Sequence, residues 1–212
     1  GFFTSMEEIG HSAVIEGFDN IQPGDIKYRD LNNDGVIDEF DRAVIGNDKP
    51  LQYFGLDFGF NWKGFEFSMN WQGVYNRDIY INDRNLVEGF QKIGQSYGQG
   101  YELLMGRWTP ETAETAILPR LSAGGNDYNM GGLYGSSFWM KNGNFLRMKN
   151  LYIGYTLPQT FCRNFLAGVR PKIFVNVQNL CTISACDWVD PEVSFTSYPL
   201  QRTWSMGINL KF

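Results

Sequence analysis

The chain has 212 residues, of which 43% are hydrophobic, 16% aromatic and 19% charged, and it carries a net charge of −5. This charge content is below the roughly 25% of soluble domains and argues against a disordered tail or a coiled coil. An acidic chain has no basic footprint for nucleic acid. No stretch approaches the ~18 consecutive apolar residues of a membrane helix, whereas the short alternating strands of a membrane barrel stay possible.

The first 50 residues are polar and rich in turns, and they contain the densest acidic cluster of the chain. A short helix is predicted over residues 5–9, with Thr4 or Ser5 as its cap. From residue 30 to residue 41 the sequence fits the first half of the EF-hand calcium loop pattern. Oxygen side chains stand at loop positions 1, 3, 5, 9 and 12, and Gly35 stands at position 6, where the sharp turn needs it. The predicted ligands of one divalent cation are Asp30, Asn32, Asp34, the Val36 carbonyl, Asp38 and Asp41.

Asp41 stands where most EF-hand loops have glutamate, a shorter carboxylate that resembles the calcium loops of dockerin modules. Ca²⁺ is the expected ion, and Mg²⁺ stays open. The alternative is a turn rich in Asp and Asn that binds no ion. A short exiting helix is predicted over residues 38–45, with Phe40 and Val44 packing inward.

Strict alternation of apolar and polar residues begins after residue 50 and predicts antiparallel strands. The predicted strands cover residues 51–62, 63–75, 145–157, 171–181 and 202–212, with a tight turn at Lys63 and Gly64. A change of phase near Lys149 and Asn150 predicts a β-bulge. The connection over residues 76–144 loses the alternation, except for a short helix predicted at 85–93, and residues 159–166 form an amphipathic linker.

The alternation fits two architectures, a soluble β-sandwich and a membrane β-barrel. Strand length favours the barrel, since strands of about 9–11 residues cross a bilayer. Aromatic residues at strand ends and the alternation of short and long connections favour it too. The face that would meet lipid carries Phe54, Leu56, Phe58, Phe60, Phe67, Met69, Ile173, Val175, Met206 and Ile208.

Several segments of the chain resemble the SusC/RagA family of TonB-dependent outer-membrane transporters. They are the stretch 23–30 with the acidic loop and residues 42–46 after it, the strand 65–75, the Arg-Trp-Thr-Pro at 107–110, the strand 145–158, and the elements at 177–180 and 190–192. The terminal alternating strand resembles a signal for the barrel assembly machinery. The resemblance covers nearly the whole chain in the family's order.

The resemblance implies an all-β fold, the C-terminal strands of a large antiparallel transmembrane barrel of about 22 strands in the outer membrane of a Gram-negative cell. Residues 1–50 are then an extracellular loop with the cation motif and 51–75 a barrel hairpin. Residues 76–144 are a long extracellular loop, and 145–212 are the last three strands with the assembly signal. Because five strands leave open edges in lipid, the remaining barrel and plug polypeptide are expected elsewhere.

The function implied by the resemblance is import of oligosaccharides or peptides, with a SusD-like surface lipoprotein as lid and with TonB reached through the N-terminal part that this sequence lacks. The alternative is a soluble β-sandwich carbohydrate-binding module with a structural calcium loop. The sequence holds no nucleophile–base set and one histidine, so an enzyme is not expected. Aromatic loop residues that could contact substrate or lid, or simply form loop core, are Trp108, Tyr128, Tyr134, Phe138, Trp139 and Trp188.

Overall fold

The computed structural model describes residues 1–81, 86, 102–122, 127–166, 168–193 and 197–211. The chain divides into two compact units, a loop unit (residues 1–46 and 80–140) and a sheet unit (residues 47–79 and 141–212). Among the described residues, the helices are all too short or too polar to span a bilayer.

The sheet unit is built on five long antiparallel strands, β1 (Gln52–Trp62), β2 (Phe65–Tyr75), β5 (Phe145–Thr156), β6 (Arg170–Gln178) and β8 (Thr203–Lys211). They are hydrogen-bonded in the order β1-β2-β5-β6-β8, while the short β7 (Thr182–Ser184) pairs with β5. A separate two-stranded sheet consists of β3 (Asp78–Tyr80) and β4 (Met140–Asn142). Each strand predicted from the alternation is therefore present, within a few residues of its predicted ends.

The connections at one end of the sheet are short. Lys63 and Gly64 both have positive φ (48° and 87°), the conformation of the two-residue hairpin turn that matches the twist of paired strands. The linker between β5 and β6 forms a helix, Gln159–Phe165. We call this end of the sheet, where β1, β5 and β8 finish and β2 and β6 begin, the turn end.

The bulge predicted near Lys149 is confirmed. Asn70 pairs with Asn150, but the next residue of β2, Trp71, pairs with Met148, so Lys149 is the extra residue. The bulge restores the apolar phase, because Met148 and Leu151 then lie on the same face of the sheet. Without it, half of β5 would turn its apolar side chains toward the polar face.

The two faces of the sheet differ in chemistry over most of the strand length. The exception is the row Tyr53, Val74 and Phe145, which is apolar although it lies on the polar face. One row of the first face consists of Phe60, Phe67, Ile153, Val175 and Met206. The next row belongs to the other face and consists of Gly59, Ser68, Tyr152, Asn176 and Ser205. We call these the apolar face and the polar face.

The apolar face is open along most of its width. Phe58 is 50% exposed, Ile173 50% and Met206 81%. A contiguous patch of large apolar side chains this exposed marks a surface that another apolar surface covers. The Phe54 ring lies over Gly73 and occupies the space that a side chain at position 73 would take, since an added Cβ would stand 2.1 Å from the ring. The face predicted to meet lipid is thus a continuous surface of the folded chain.

The loop unit has a small core of its own. The buried residues of this core are Phe3, Ile15, Ile21, Ile37 and Tyr128, with Ile9, Ala13, Val14, Phe18 and Tyr28 packed around them. The predicted N-terminal helix is present as Met6–Gly10, and the Ser5 side chain caps it by accepting the Glu8 amide. The helix predicted over residues 85–93 lies outside the described residues except for its position 86.

Candidate functional site

The acidic loop brings together the carboxylates of Asp30, Asp34 and Asp41. One oxygen of each lies within 4.8 Å of the others. Asn32 joins the cluster, because its side-chain amide donates to Asp34 Oδ2 at 2.7 Å. Hard cations such as Ca²⁺ and Mg²⁺ take oxygen ligands of this kind.

The backbone of the loop curls around Asp30. Its two carboxylate oxygens accept hydrogen bonds from the amides of Asn33 at 2.6 Å and Gly35 at 2.8 Å. Gly35 has φ +91° and Asn33 has φ +62°, both in the left-handed region that Gly and Asn tolerate best. The glycine at the sixth loop position is therefore required by the turn that carries the donors to Asp30.

Asp41 closes the loop from its far end. Its Oδ1 accepts the amide of Leu31 at 2.6 Å, and its Oδ2 accepts the amide of Asp38 at 3.0 Å. The hydrogen bonds from the Asp38 and Leu31 amides hold the pKa of the Asp41 carboxyl below its ordinary value. Asp41 is therefore a carboxylate at neutral pH, although it is a shorter ligand than the usual glutamate.

Asp38 has a different role from the other acids of the loop. Its side chain accepts the Phe40 amide at 2.8 Å and caps the short 3₁₀ helix Glu39–Asp41. The group of converging carboxylates found in the described part of the chain does not include it. The Val36 amide, for its part, donates to Asp34 Oδ1 at 3.0 Å.

The predicted exiting helix over residues 38–45 is wrong. One 3₁₀ turn forms, and Arg42 then takes an extended backbone with φ −83° and ψ 134°. Phe40 is 71% exposed and Val44 97% exposed, so neither packs inward. Reciprocal hydrogen bonds between Asp38 and Asp41 cap the start of this turn, and the extended backbone at Arg42 ends it.

The loop is anchored to the core of the loop unit through Ile37, a residue that the sequence did not single out. Ile37 is 7% exposed and forms a parallel bridge with Ile15. Its amide donates to the Val14 carbonyl at 3.0 Å, and its carbonyl accepts the Glu16 amide at 3.3 Å. The apolar residue inside an otherwise polar loop is the signal that could have identified this anchor.

Two of the segments that carry the family resemblance contact each other. Gly24 has φ +93°, and a Cβ added to it would stand 2.4 Å from Cε3 of Trp108. The Gly24 carbonyl accepts the amide of Arg120 at 2.9 Å. The indole of the Arg-Trp-Thr-Pro segment therefore packs directly on the backbone of the Pro-Gly-Asp turn, where only glycine leaves room.

Asp25 is the buried centre of this arrangement, at 1% exposure. It forms an ion pair with Arg120, whose Nε lies 2.8 Å from Oδ1, and Asn129 Nδ2 donates to Oδ1 at 2.8 Å. The side-chain Oδ1 of Asn129 accepts the Ile26 amide at 2.8 Å, and the backbone carbonyl of Asn129 accepts the indole N–H of Trp139 at 2.7 Å. A buried carboxylate needs such partners, because leaving it unpaired is costly.

The six aromatic loop residues are not equivalent. Tyr128 is 3% exposed and Trp139 is fully buried, which places both in the interior of the loop unit. Burial also raises the pKa of the Tyr128 phenol above its ordinary value. Tyr134 is 41% exposed and stacks under the Arg42 guanidinium at 4.1 Å. The partly exposed rings are Trp108, Phe138 and Trp188, of which Trp188 lies 3.8 Å from Lys141 Nζ.

In the sheet unit, a buried ion-pair network holds the segment after β7 against β5. Arg147 is 3% exposed and lies 2.7 Å from Asp190 and 2.6 Å from Glu192. Burial opposes ionisation of Asp190, but hydrogen bonds from the Glu192 amide, Arg147 and the Leu200 amide outweigh it and lower the pKa of this carboxyl. Cys181 and Cys186 nearby are free thiols.

No protein-family model matches the chain. Among curated proteins, TonB-dependent receptor P26 of Formosa agariphila is 28% identical over 100% of the chain and 22% of its own length. TonB-dependent receptor SusC of Bacteroides thetaiotaomicron is 25% identical over 92% of the chain and 18% of its own length. The chain thus spans about a fifth of these relatives.

Solved structures give the same result. A structure of the RagAB peptide transporter matches 74% of the chain with 25% identity and a TM-score of 0.51. The RagAB peptide importer in its closed–closed state matches 100% of the chain and 22% of its own length, with 20% identity and a TM-score of 0.58. The chain matches a SusC/RagA-type segment of a TonB-dependent receptor.

The SusC/RagA-type match also accounts for the open apolar face. These relatives are receptors and transporters, which fits the expectation that the chain is not an enzyme. In a transporter barrel the outward face of each strand is apolar and the inward face polar. The described strands have this division over most of their length, and their antiparallel order is that of neighbouring barrel strands.

Proposed function

We propose that the chain forms part of a TonB-dependent importer in the outer membrane of a Gram-negative cell. The observation that carries this proposal is the continuous apolar face of five long strands in a chain related to SusC. A strand of 11 residues is about 36 Å long, and a tilt of about 45° reduces its height to about 26 Å. This height agrees with the ~25 Å apolar band of outer-membrane barrels.

In this arrangement the turn end of the sheet faces the periplasm. Residues 51–75 are a barrel hairpin and 145–212 supply three further strands, while residues 1–50 and 76–144 are extracellular loops. Short turns at one end and long loops at the other are the usual asymmetry of such barrels. The edge strands β1 and β8 then pair with barrel strands outside this sequence, and the plug and the contact with TonB also lie outside it.

The proposed substrates are oligosaccharides or peptides, taken up together with a SusD-like surface lipoprotein. The relation to SusC and to the RagAB peptide transporter supports this class of nutrient. The partly exposed aromatic rings of the loop unit, above all Tyr134, are the surfaces offered to substrate or lipoprotein. Aromatic rings stack on sugar faces and on peptide side chains alike.

The acidic loop is proposed to hold one structural Ca²⁺, with Mg²⁺ as the second choice. Asp30, Asp34, Asp41 and Asn32 would supply side-chain oxygens. The Val36 carbonyl and Oδ2 of Asp38, the oxygen that does not accept the Phe40 amide, would complete the set. The convergence of three carboxylates in one small volume supports this, because an ion would offset their mutual repulsion. The ion would lock a surface loop that is tied to the core through Ile37.

Import is tested in a strain that lacks the gene for the full-length protein. Growth is measured on a panel of single glycans and peptides, with and without the restored gene. Loss of growth on one oligosaccharide or peptide class, with recovery on restoration, is expected. If the protein were instead a soluble binding module, it would be monomeric and stable without detergent, and membrane fractions would not contain it.

Cation binding is tested on the full-length protein by titration with Ca²⁺ and Mg²⁺, comparing Asp34→Asn with the control Glu39→Gln. Glu39 is an exposed acid of the same loop that lies outside the carboxylate group. The expected result is a weaker Ca²⁺ affinity for Asp34→Asn alone. Equal affinities of both variants and the unaltered protein, or no bound ion at millimolar Ca²⁺, would reject the site.

A further inference from the structure

Residues 42–46, which follow the acidic loop, form an extended segment whose backbone has no partner. The stretch 42–47 contains no helix, turn or bend, and Arg42 at its start has φ −83° and ψ 134°. Within the described part of the chain, none of the amides and carbonyls of residues 42–46 takes part in a hydrogen bond. An extended backbone with free donors and acceptors is a template for another strand.

The same segment exposes apolar side chains to water. Val44 is 97% exposed and Ile45 is 42% exposed. Ile45 shares a cavity with Leu133 and Tyr134, which are 95% and 41% exposed. Large apolar side chains that lie together on a surface in this way mark an interaction site.

A cavity of about 340 Å³ lies beside the segment, and we call it the edge groove. Its lining includes Ala43 and Ile45 from the segment, Ile37 from the core of the loop unit, and residues between 131 and 137. Its volume is within the range of sites that bind small ligands. The free backbone of residues 42–46 therefore borders a space that can take a side chain of a bound chain.

The charges at the edge groove favour an anionic group. Arg29 and Arg42 line it, and no ion pair joins either of them to an acid among the described residues. The Arg42 guanidinium lies 4.1 Å from the centroid of the Tyr134 ring, a contact that positions the cation without neutralising it. Asp38 and Asp41 also line the groove, but their carboxylates accept amides of the acidic loop and, in our proposal, face its cation.

These features fit an extended peptide better than an oligosaccharide. A free row of amides and carbonyls pairs with the same row on another polypeptide, and pockets beside it take alternate side chains. A sugar has no such row of alternating donors and acceptors. The guanidinium groups of Arg29 and Arg42 suit acidic side chains or a terminal carboxylate of the peptide.

We propose that residues 42–46 bind an imported peptide by strand addition. The peptide pairs its backbone with this segment, places an apolar side chain in the edge groove and turns a carboxylate toward Arg29 and Arg42. The inference rests on the proposed import function, and of the two proposed nutrient classes it selects peptides, those with acidic and apolar residues above all.

The test is binding of the labelled hexapeptide Val-Glu-Val-Glu-Val-Glu to the full-length protein, measured by fluorescence polarisation, with maltohexaose and cellohexaose as competitors. Successive amides of a strand point to opposite edges, so only one of Ala43→Pro and Val44→Pro removes a donor on the peptide's side. Neither substitution breaks a hydrogen bond within the described chain. The control Val44→Thr keeps both the amide and the branched side chain.

We expect the unaltered protein and Val44→Thr to bind the hexapeptide equally. One proline variant should bind it about two- to tenfold more weakly, and Arg42→Gln about fivefold more weakly. Full binding by both proline variants would overturn the inference, and so would an equal loss in both, which indicates a distorted loop. Displacement of the hexapeptide by either hexasaccharide would overturn it too.

Hydrogen exchange at residues 42–46 of the full-length protein distinguishes other occupants of the segment. Amides that exchange freely alone and become protected with the hexapeptide support the inference. Protection without peptide would overturn it, because another segment of the full-length protein then already pairs there. Loss of a co-purified lipoprotein from the proline variants, with unchanged peptide binding, would overturn it in favour of a protein interface.

Failure of the proposed function gives a different result from failure of this inference. If the protein is not an importer, the restored gene supports growth on neither peptides nor oligosaccharides. If only the inference is wrong, the gene restores growth and both proline variants restore it to the same extent as the unaltered gene.

Discussion

Replacing Gly24 with alanine should destabilise the loop unit well beyond the cost of its backbone conformation. The residue has φ +93°, and any side chain in this region costs about 1–2 kcal/mol. The new Cβ would also stand 2.4 Å from the Trp108 ring and 2.9 Å from Cβ of Arg120, so these residues must move. Overpacking of this kind costs about 1–3 kcal/mol, which gives a total of about 2–5 kcal/mol.

Gly17 offers the matched control for this substitution. It has φ +85°, and an added Cβ would meet nothing within 4 Å, so Gly17→Ala carries the backbone cost alone. Hydrogen exchange of the full-length protein gives the local free energy of opening around residues 2–26 for both variants. If the two variants lose the same free energy, the contact between Gly24 and Trp108 does not support the loop unit.

Three further predictions follow from the described contacts. Phe58→Arg should lower the free energy of unfolding of the barrel by about 2–4 kcal/mol, measured by denaturant titration, whereas Asp57→Arg at the same depth should cost much less. A larger cost for Asp57→Arg would show that Asp57, and not Phe58, faces lipid. Ile37→Ala should lower the free energy of unfolding of the loop unit by about 2–5 kcal/mol, whereas Val36→Ala should have a small effect. Equal effects of the two substitutions would show that Ile37 does not anchor the acidic loop. Because the pKa of Asp190 is lowered, the stability that this carboxylate contributes is fully present above pH ~4 and should be lost as pH falls through the depressed pKa. The amides that donate to Asp190 should then lose protection from hydrogen exchange. A loss of protection already at pH ~6 would contradict the assignment.

The strands could be predicted because successive side chains of a strand point to opposite faces, so a strand with one apolar and one polar face has a sequence that alternates with a period of two. The phase change at Lys149 marked the bulge for the same reason. The centre of the loop unit left no such pattern. Asp25 is 95 residues from Arg120 and 104 from Asn129 along the chain, so only the folded structure brings them together. The helix predicted after the acidic loop does not extend beyond one 3₁₀ turn, because the backbone becomes extended at Arg42, and periodicity does not detect this.

The cation loop illustrates a second limit of the sequence. The spacing identified the oxygen side chains, and the structure brings Asp30, Asp34 and Asp41 together. The same spacing could not show that Asp38 also caps the 3₁₀ helix Glu39–Asp41. Side chains of one type can bind an ion or the backbone, and the choice depends on the local turn.

The central claim, that the sheet spans a membrane with its apolar face in lipid, is tested most directly by spin labels along β1. Single cysteines are placed at each position from 54 to 61 of the full-length protein in bilayers, after Cys162, Cys181 and Cys186 are replaced by serine. Phe54, Leu56, Phe58 and Phe60 should be accessible to oxygen dissolved in lipid. The alternate positions Gly55, Asp57, Gly59 and Asn61 should be accessible to a water-soluble nickel complex. Access of the nickel complex to all eight positions would contradict the claim.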